Sequence, residues 1–354
     1  MLQYVIMTVK KKKGSEYLLE PLWEKMRYSV FGGVRKNLHL PYYIHVFGML
    51  AKPRWLTEKK LGSLLLEFDK SSNQEQYYIM DRMNYYNRLS QTINLPIDSP
   101  TIGEQSYFKK KCPSVYVFDT YEWNRYFPSN LKWLFAPGDV RTTFHFPTIV
   151  KSRPIEECRE NPNSILINLD KIRHFMFFKD PIPFEKKSNR LIFRGAVHGK
   201  PARMLFIEKY FGHPQFDIYD KSTNSTYPEE MRLHKETPIY EHLKFKYILS
   251  LEGNDVASNL KWIMNSNSIA VSPTLNFETW FMEGRLKPGE HFIEIKPDFS
   301  NISEQIAYYD DHPKEAKEII ENAHQYCRQF FDKKRERLIA LLVMNKYFKM
   351  TNQI

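Results

Sequence analysis

The chain has 354 residues, which is enough for two domains with a cleft between them. Its net charge of +11, from 52 basic and 41 acidic residues, favours an anionic partner such as a nucleotide, a nucleic acid or a membrane surface. Three cysteines without CxxC spacing argue against a disulfide framework and a zinc site, and no apolar run is long enough for a membrane-spanning helix.

Lysines follow the short apolar run at the N-terminus, which is the reverse of a secretory signal, so we expect a cytoplasmic protein. Basic runs stand at residues 10–13, 109–111, 186–187 and 333–335. These runs either meet anionic lipid headgroups or are solvated faces. We therefore expect, at most, a peripheral contact with an anionic membrane.

The first part of the chain is predicted to mix helices and strands. Apolar residues recur at helical spacing across residues 74–89, and residues 115–119 have the composition of a strand. The aromatic stripe of the predicted helix is either core or a sugar platform. Asp139 follows Pro-Gly, a sequence typical of a turn.

Five prolines punctuate the middle of the chain, and residues 178–187 have the composition of a linker. We place a domain boundary there. The predicted division is an N-terminal domain at 1–180, a second domain at 181–330, and a C-terminal helix at 331–354.

The second domain is predicted to begin with a strand at residues 190–193, a glycine-containing loop and a helix at 202–211. The loop is one residue short of a Walker A motif, and Pro201 stands where that motif has Ser or Thr, so we reject a P-loop. Arg194 at the strand end either binds phosphate or forms a structural salt bridge.

A second strand, loop, helix and strand follow over residues 247–271, which predicts a right-handed βαβ unit. Ligands bind at the carboxyl ends of such strands, where a helix N-terminus attracts phosphate. Lys261 adds a charge one turn into the predicted helix. Alternatively, Asp255 only caps that helix and Lys261 is solvated.

Further along, Glu278 and Glu283 flank Trp280 and offer carboxylates to sugar hydroxyls beside an aromatic face, although Trp280 is equally explained as a core residue. An amphipathic helix is predicted at residues 313–331, and another helix extends to about residue 348.

Several of these segments resemble the bacterial, lipopolysaccharide-modifying branch of glycosyltransferase family 90, which is related to the protein O-glucosyltransferases. The segments are LIFRGAVHGKPARMLFIEKYF at 191–211, EGNDVASNLKWIMNSNS at 252–268, ETWFMEG at 278–284 and LKPGEHF at 286–292. The resemblance covers roughly residues 110–350. One departure is Asn259, which stands where the eukaryotic members carry Arg.

The resemblance implies an α/β, GT-B-like fold, with two Rossmann-like domains on either side of a cleft. It implies that residues 1–180 form the acceptor-side domain, that residues 181–330 form the nucleotide-sugar-binding domain, and that the C-terminal helix at 331–354 packs back on the N-terminal domain. It also implies that Asp139 is the catalytic base, with Asp119 in reserve. The residues expected to bind the donor are Arg194, Gly195, Gly253, Asn254, Ser258, Lys261 and Glu278.

The function that we infer from the sequence is an inverting transfer of a hexose from a UDP-sugar to lipopolysaccharide core at the inner face of the bacterial membrane. No cofactor or metal is expected, because the chain has neither Asp-x-Asp nor HExxH. A basic nucleic-acid-binding protein and a catalytically inactive, glycosyltransferase-like scaffold are the alternatives.

Overall fold

A computed structural model describes residues 39–104, 114–235 and 237–354. Several features of the sequence lie outside the described residues. They are the short apolar run at the N-terminus, the lysine runs at 10–13 and 109–111, and Cys112. Within them, no helix is both long and apolar enough to cross a bilayer.

Helices form the first part of the described chain. Ser72 caps the longest of them, since its hydroxyl accepts a hydrogen bond from the Glu75 amide at 3.3 Å. That helix buries Ile79, Met83 and Tyr86 on one face, which confirms the helix predicted at 74–89 and assigns most of its stripe to the core. These helices are α1 (His39–Leu50), α2 (Arg54–Glu58), α3 (Leu61–Asp69), α4 (Asn73–Tyr86) and α5 (Ser114–Asn124).

The strand predicted at residues 115–119 is wrong, because this segment belongs to helix α5. Its buried side chains Tyr116, Val117, Thr120 and Asn124 recur at helical rather than alternating spacing. Packing of that face overrides the strand propensity of the Val-Tyr-Val-Phe run.

Short elements follow and build two small sheets. Strands β1, β2 and β4 form a parallel three-stranded sheet in that order, and β3 pairs antiparallel with β9 from much later in the chain. The elements are β1 (Phe135–Ala136), β2 (Thr148–Val150), β3 (Ser152–Pro154), α6 (Glu157–Glu160), β4 (Ser164–Leu166) and α7 (Lys171–His174).

A parallel five-stranded sheet in the order β10-β8-β7-β5-β6 forms the centre of the second half. The chain runs from β5 outward to β6 and then returns to β7 on the other side of β5, so the strand order reverses between β5 and β7. The elements are β5 (Ser188–Gly195), α8 (Pro201–Tyr210), β6 (Phe216–Asp220), α9 (Ile239–His242), β7 (Phe245–Leu249), α10 (Leu260–Met264), β8 (Ile269–Ser272), β9 (Phe277–Thr279) and β10 (Ile293–Glu294).

The βαβ unit predicted over residues 247–271 is confirmed, because β7 and β8 are parallel neighbours joined through α10. The helix is shorter than predicted, however. It begins at Leu260, so residues 256–259 belong to the loop and Asp255 is not a helix cap.

Three helices end the chain: α11 (Ile302–Asp311), α12 (Pro313–Arg328) and α13 (Lys333–Met350). Helix α12 buries Ala316, Ile319, Ile320, Ala323 and Cys327, which is the face predicted from its periodicity. Helix α13 packs against α3, α4 and α5.

The described residues contain two hydrophobic clusters, one on each face of the large sheet. The first joins Ile192 and Ile248 of the sheet to the N-terminal helices, the small parallel sheet and α13. The second contains Leu191, Tyr247 and Val271, together with α8, α11 and the first half of α12. The domain limits predicted from the sequence stay a prediction.

Candidate active site

A cavity of about 380 Å³ lies where β5 and β7 end, at the reversal of strand order. This is the place in an open parallel sheet where neighbouring loops diverge and leave a crevice. Six of the eight predicted site residues line it: Asp139, Arg194, Gly195, Gly253, Asn254 and Ser258.

The polar end of the cavity is made by the loops after β5 and β7. Arg203, in the first turn of α8, ties the two loops together by donating to the Ala196 carbonyl at 2.9 Å and the Leu251 carbonyl at 2.6 Å. Burial lowers the pKa of Arg203, and its Nε–H has no hydrogen-bond partner among the described residues. Lys200 also lines this end and donates to the Asn254 side chain.

Glycine makes room for neighbouring side chains at two points of this wall. A Cβ at Gly195 would lie 2.7 Å from the ring of Phe193, which is closer than real Cβ contacts allow. A Cβ at Gly253 would lie 3.2 Å from the Arg203 guanidinium. The two loops therefore present backbone, rather than side chains, beside the cations.

Other lining residues are apolar or aromatic. They are Met176, Ile239, His242, Ile248 and Trp262, and the rings of His242 and Trp262 meet edge to face at 5.7 Å. The lining of the cavity thus combines apolar and aromatic side chains with cations.

Asp139 projects from the N-terminal half into the same cavity. Its carboxylate accepts hydrogen bonds from the Lys151 ammonium at 2.7 Å and from the Asn254 amide at 3.0 Å. Burial alone would raise the pKa of Asp139, but the Lys151 and Asn254 contacts outweigh it and hold the pKa below its ordinary value.

Lys151 links the two halves of the molecule. Its ammonium is buried and also lies 2.8 Å from a carboxylate oxygen of Asp255, which accepts a further hydrogen bond from Ser152 at 2.5 Å. Burial raises the pKa of Asp255 in spite of the opposing charge of Lys151. Arg141 adds a second link across the cleft, since it donates to the Asn254 carbonyl at 3.0 Å.

Arg194 lines the cavity, but its guanidinium is engaged by β6. It pairs with the Asp217 carboxylate, donates to the Asp217 carbonyl at 2.6 Å and stacks over Tyr219 at 4.5 Å. The sequence left two roles open for Arg194, phosphate binding and a structural salt bridge. In the structure, this side chain forms the salt bridge at the strand end.

Lys261 and Glu278, both expected to bind the donor, lie outside the cavity and are completely buried. The Lys261 ammonium is 2.6 Å from Glu283, because Lys261 lies on a side of α10 that packs into the interior, whereas Trp262 of the same helix lines the cavity. Glu278 lies in the antiparallel pair β3–β9, where Arg153 binds it at 2.8 Å and Arg88 at 3.3 Å. This is a correction: both residues stabilise the interior.

Three other residues singled out in the sequence are Asn259, Asp119 and Trp280, and the structure shows what each of them contacts. Asn259 bonds to β7, donating to the Leu249 carbonyl at 3.0 Å and accepting from Ser250 at 3.2 Å, so it supplies no charge in place of the family Arg. Asp119 is buried in α5 and bonded to Tyr42, outside the cavity. Trp280 is core, stacked on Tyr86 at 3.7 Å.

Sequence reasoning missed Lys151, Lys200 and Arg203. Lys200 and Arg203 follow the glycine loop after β5, and that position was a usable signal. Lys151 gave none, because it follows an apolar strand and its two carboxylate partners are 12 and 104 positions away, at Asp139 and Asp255. No group of three His, Cys, Asp or Glu side chains within the described ranges could hold a metal ion.

A cavity at the switch point of a parallel sheet, lined by a carboxylate and by several cations, is typical of an α/β enzyme with an anionic ligand. The model of glycosyl transferase family 90 matches residues 172–353. O-glucosyltransferase LpsA of Dichelobacter nodosus is 39% identical over 331 residues, which cover 93% of this chain and 96% of that protein.

More distant similarity extends to the eukaryotic relatives. Protein O-glucosyltransferase 1 of Homo sapiens is 25% identical over 41% of this chain and 38% of its own length. Protein O-glucosyltransferase 2 of Danio rerio is 28% identical over 27% of this chain and 19% of its own length. The chain belongs to glycosyl transferase family 90 and is a glycosyltransferase, so the resemblance predicted from the motifs is confirmed.

Proposed function

We propose that the protein transfers a hexose from a UDP-sugar to a lipopolysaccharide core oligosaccharide, with inversion at the anomeric carbon and without a metal ion. The observation that carries this proposal is the cavity, whose lining brings together apolar side chains, the cations Lys200 and Arg203, and the carboxylate of Asp139. Because the similar protein from Dichelobacter nodosus is named an O-glucosyltransferase, glucose is the first hexose to test.

The donor fits the cavity in one direction. The nucleobase stacks at the end formed by His242 and Trp262, and the diphosphate lies against the loops that carry Lys200 and Arg203. The Arg203 guanidinium, which has no carboxylate partner among the described residues, and the Lys200 ammonium replace the metal ion that other glycosyltransferases use to neutralise the leaving diphosphate. Ser258 and the backbone beside Gly253 supply further donors at this end.

Asp139 acts as the base. Its carboxylate accepts the proton of the acceptor hydroxyl as the oxygen attacks the anomeric carbon, and UDP departs from the opposite face, so the configuration inverts. Lys151 keeps this carboxylate ionised and correctly oriented, and the bonds from Asn254 and Arg141 hold the two walls together.

The proposed arrangement is GT-B-like, with the acceptor bound by the N-terminal half. A net charge of +11 suits a phosphorylated acceptor and a peripheral position at the inner face of the bacterial membrane. Nothing in this assignment requires nucleic acid.

A screen of nucleotides and nucleotide sugars tests the donor class without the acceptor. We expect UDP and one UDP-hexose to raise the melting temperature, and slow release of UDP from that sugar alone. Stabilisation by another nucleotide class would overturn the donor assignment. Salt-sensitive binding of oligonucleotides, without stabilisation by UDP, would favour the nucleic-acid alternative. Binding of UDP-sugar with neither transfer nor hydrolysis would favour the inactive scaffold.

A further inference from the structure

A second cavity, of about 470 Å³, lies in the helical N-terminal part and shares no lining residue with the first. We call it the α1 groove, because it runs between α1, the end of α5 and the first turn of α13. Its apolar wall is formed by Ile44, Met49, Trp123 and Tyr126.

The cations of the α1 groove are poorly compensated. Lys52 and Lys333 are exposed, and in the part of the chain that the structure describes the one carboxylate near Arg337 is that of Glu67, at 4.0 Å. Glu122, the carboxylate in the lining, is already paired with Lys171. The groove is therefore positively charged.

Arg125 differs from the other cations of the α1 groove because it is buried. Its side chain is only 5% exposed, yet within the described part of the chain it forms no ion pair, and its Nε–H has no hydrogen-bond partner. One Nη donates to the Met49 carbonyl at 2.8 Å, and the guanidinium lies over the Tyr121 and Tyr126 rings. A buried guanidinium without a carboxylate is costly unless an anion binds beside it.

Large apolar side chains stand exposed next to these cations. Ile44 and Phe47, three positions apart on one face of α1, are 63% and 57% exposed, and Trp55 at the start of α2 is 54% exposed. A soluble phosphate compound would use the cations alone. Cations bordered by exposed aliphatic and aromatic side chains fit the surface of an anionic bilayer, whose headgroups carry phosphate above an apolar layer.

We propose that the α1 groove binds the phosphate headgroup of an anionic phospholipid and seats the protein on the bilayer, with Ile44 and Phe47 entering the interface. This inference gives a location to the membrane contact proposed above. It does not depend on the donor, the base or the acceptor, so it fails or stands separately from the transfer reaction.

Sedimentation of the full-length protein with vesicles tests it. We expect binding to vesicles of phosphatidylcholine mixed with phosphatidylglycerol, weak binding to phosphatidylcholine alone, and release by added salt. Lys52→Glu combined with Lys333→Glu should weaken binding at least about tenfold. The matched control is Lys296→Glu with Lys314→Glu, two exposed lysines of the C-terminal half that give the same change in net charge. It should bind as the unaltered protein does.

Equal losses in both double variants would reduce the effect to net charge and overturn the proposal, as would full binding by the Lys52/Lys333 variant. Ile44→Ser with Phe47→Ser should weaken binding even at low salt. If that variant binds vesicles as fully as the unaltered protein does, Ile44 and Phe47 do not enter the bilayer and the proposal is overturned. A lower melting temperature with full binding would show that these side chains cover part of the chain rather than lipid. Should the charge reversals prevent folding, Lys52→Gln combined with Lys333→Gln should also weaken vesicle binding, although by less.

Discussion

Asp139 has one carboxylate oxygen on Lys151 and the other on Asn254, so Asp139→Asn keeps the size of the side chain but turns an amide nitrogen toward one of these donors. Asp139→Asn should reduce transfer by about 10²- to 10⁴-fold, because the amide cannot accept the proton, while UDP still binds and the folded protein melts at a somewhat lower temperature. Initial rates measure the transfer reaction, and calorimetry measures UDP binding and the melting temperature. The exposed Asp98→Asn is the control, and retention of more than about a tenth of the activity would move the base elsewhere.

Lys151 sets the pH range in which Asp139 is ionised. In Lys151→Met the pKa of Asp139 should rise, because burial then acts without the ammonium, and the acid limb of the kcat/KM profile should move to higher pH. Above that limb the rate should recover in part. Lys132→Met, which removes a surface ammonium bonded to the Ile97 carbonyl, is the control. An unmoved acid limb in a folded Lys151→Met protein would exclude this role.

Arg203 is the cation that we expect to matter most for the diphosphate. Charge-assisted hydrogen bonds contribute about 1.5–3 kcal/mol, so Arg203→Ala should weaken UDP binding about 10- to 100-fold and uridine binding much less. Arg190→Ala, at the other end of β5, should change neither affinity. Equal losses for UDP and uridine would mean that Arg203 serves only to tie the loops at Ala196 and Leu251.

At the scale of elements, α13 is held to α4 by a buried ion pair. Arg82 is completely buried and binds Glu336, whose carboxylate also accepts from the Trp280 indole at 2.6 Å. Glu336→Gln leaves the guanidinium without a counter-charge, so the free energy of unfolding should fall by about 3–5 kcal/mol.

Urea unfolding measures that loss. Glu67→Gln is the matched control, because it breaks only the exposed 4.0 Å contact with Arg337, which is worth at most about 1 kcal/mol. Equal stabilities for the two variants would show that helix packing, and not the ion pair, attaches α13.

Elements with a strong local pattern were predictable from the sequence. Helix α12 has a regular apolar face, and the βαβ unit around α10 has two β-branched strands separated by a polar loop. The failures have a common physical cause. Residues 115–119 prefer strand locally but pack as a helix, and Lys261 carries a charge that sequence places in solvent, although Glu283 allows it to be buried.

The candidate site was predictable in its loops but not in its charges. Gly195, Gly253 and Asn254 follow strands and could be placed in the crevice from the strand pattern alone. Whether a cation is free to meet a ligand depends on partners far away in sequence. Arg194 is bound by Asp217 on the next strand, whereas the partners of Arg203 within the described ranges are carbonyls, and neither fact is visible in the order of residues.

For the whole molecule, the prediction concerns metal ions. If Lys200, Arg203 and the loop amides neutralise the leaving diphosphate, transfer should continue at an undiminished rate in excess EDTA. Assays after exhaustive chelation, with and without added magnesium or manganese, provide the measurement. Complete loss that either ion restores would point to ligands outside the described residues or to a metal carried by the donor.

The attachment of α13 also bears on how the protein is made. Arg82 and Glu336 are 254 positions apart, and the Tyr347 hydroxyl accepts from the Leu134 amide at 2.9 Å, so the last helix completes a core begun near the start of the chain. On the ribosome, α4 and α5 emerge long before their partner is translated. Their apolar faces stay open for that interval, when chaperones or neighbouring nascent chains compete for them. A premature stop before α13 would therefore release an aggregation-prone fragment rather than a smaller working enzyme.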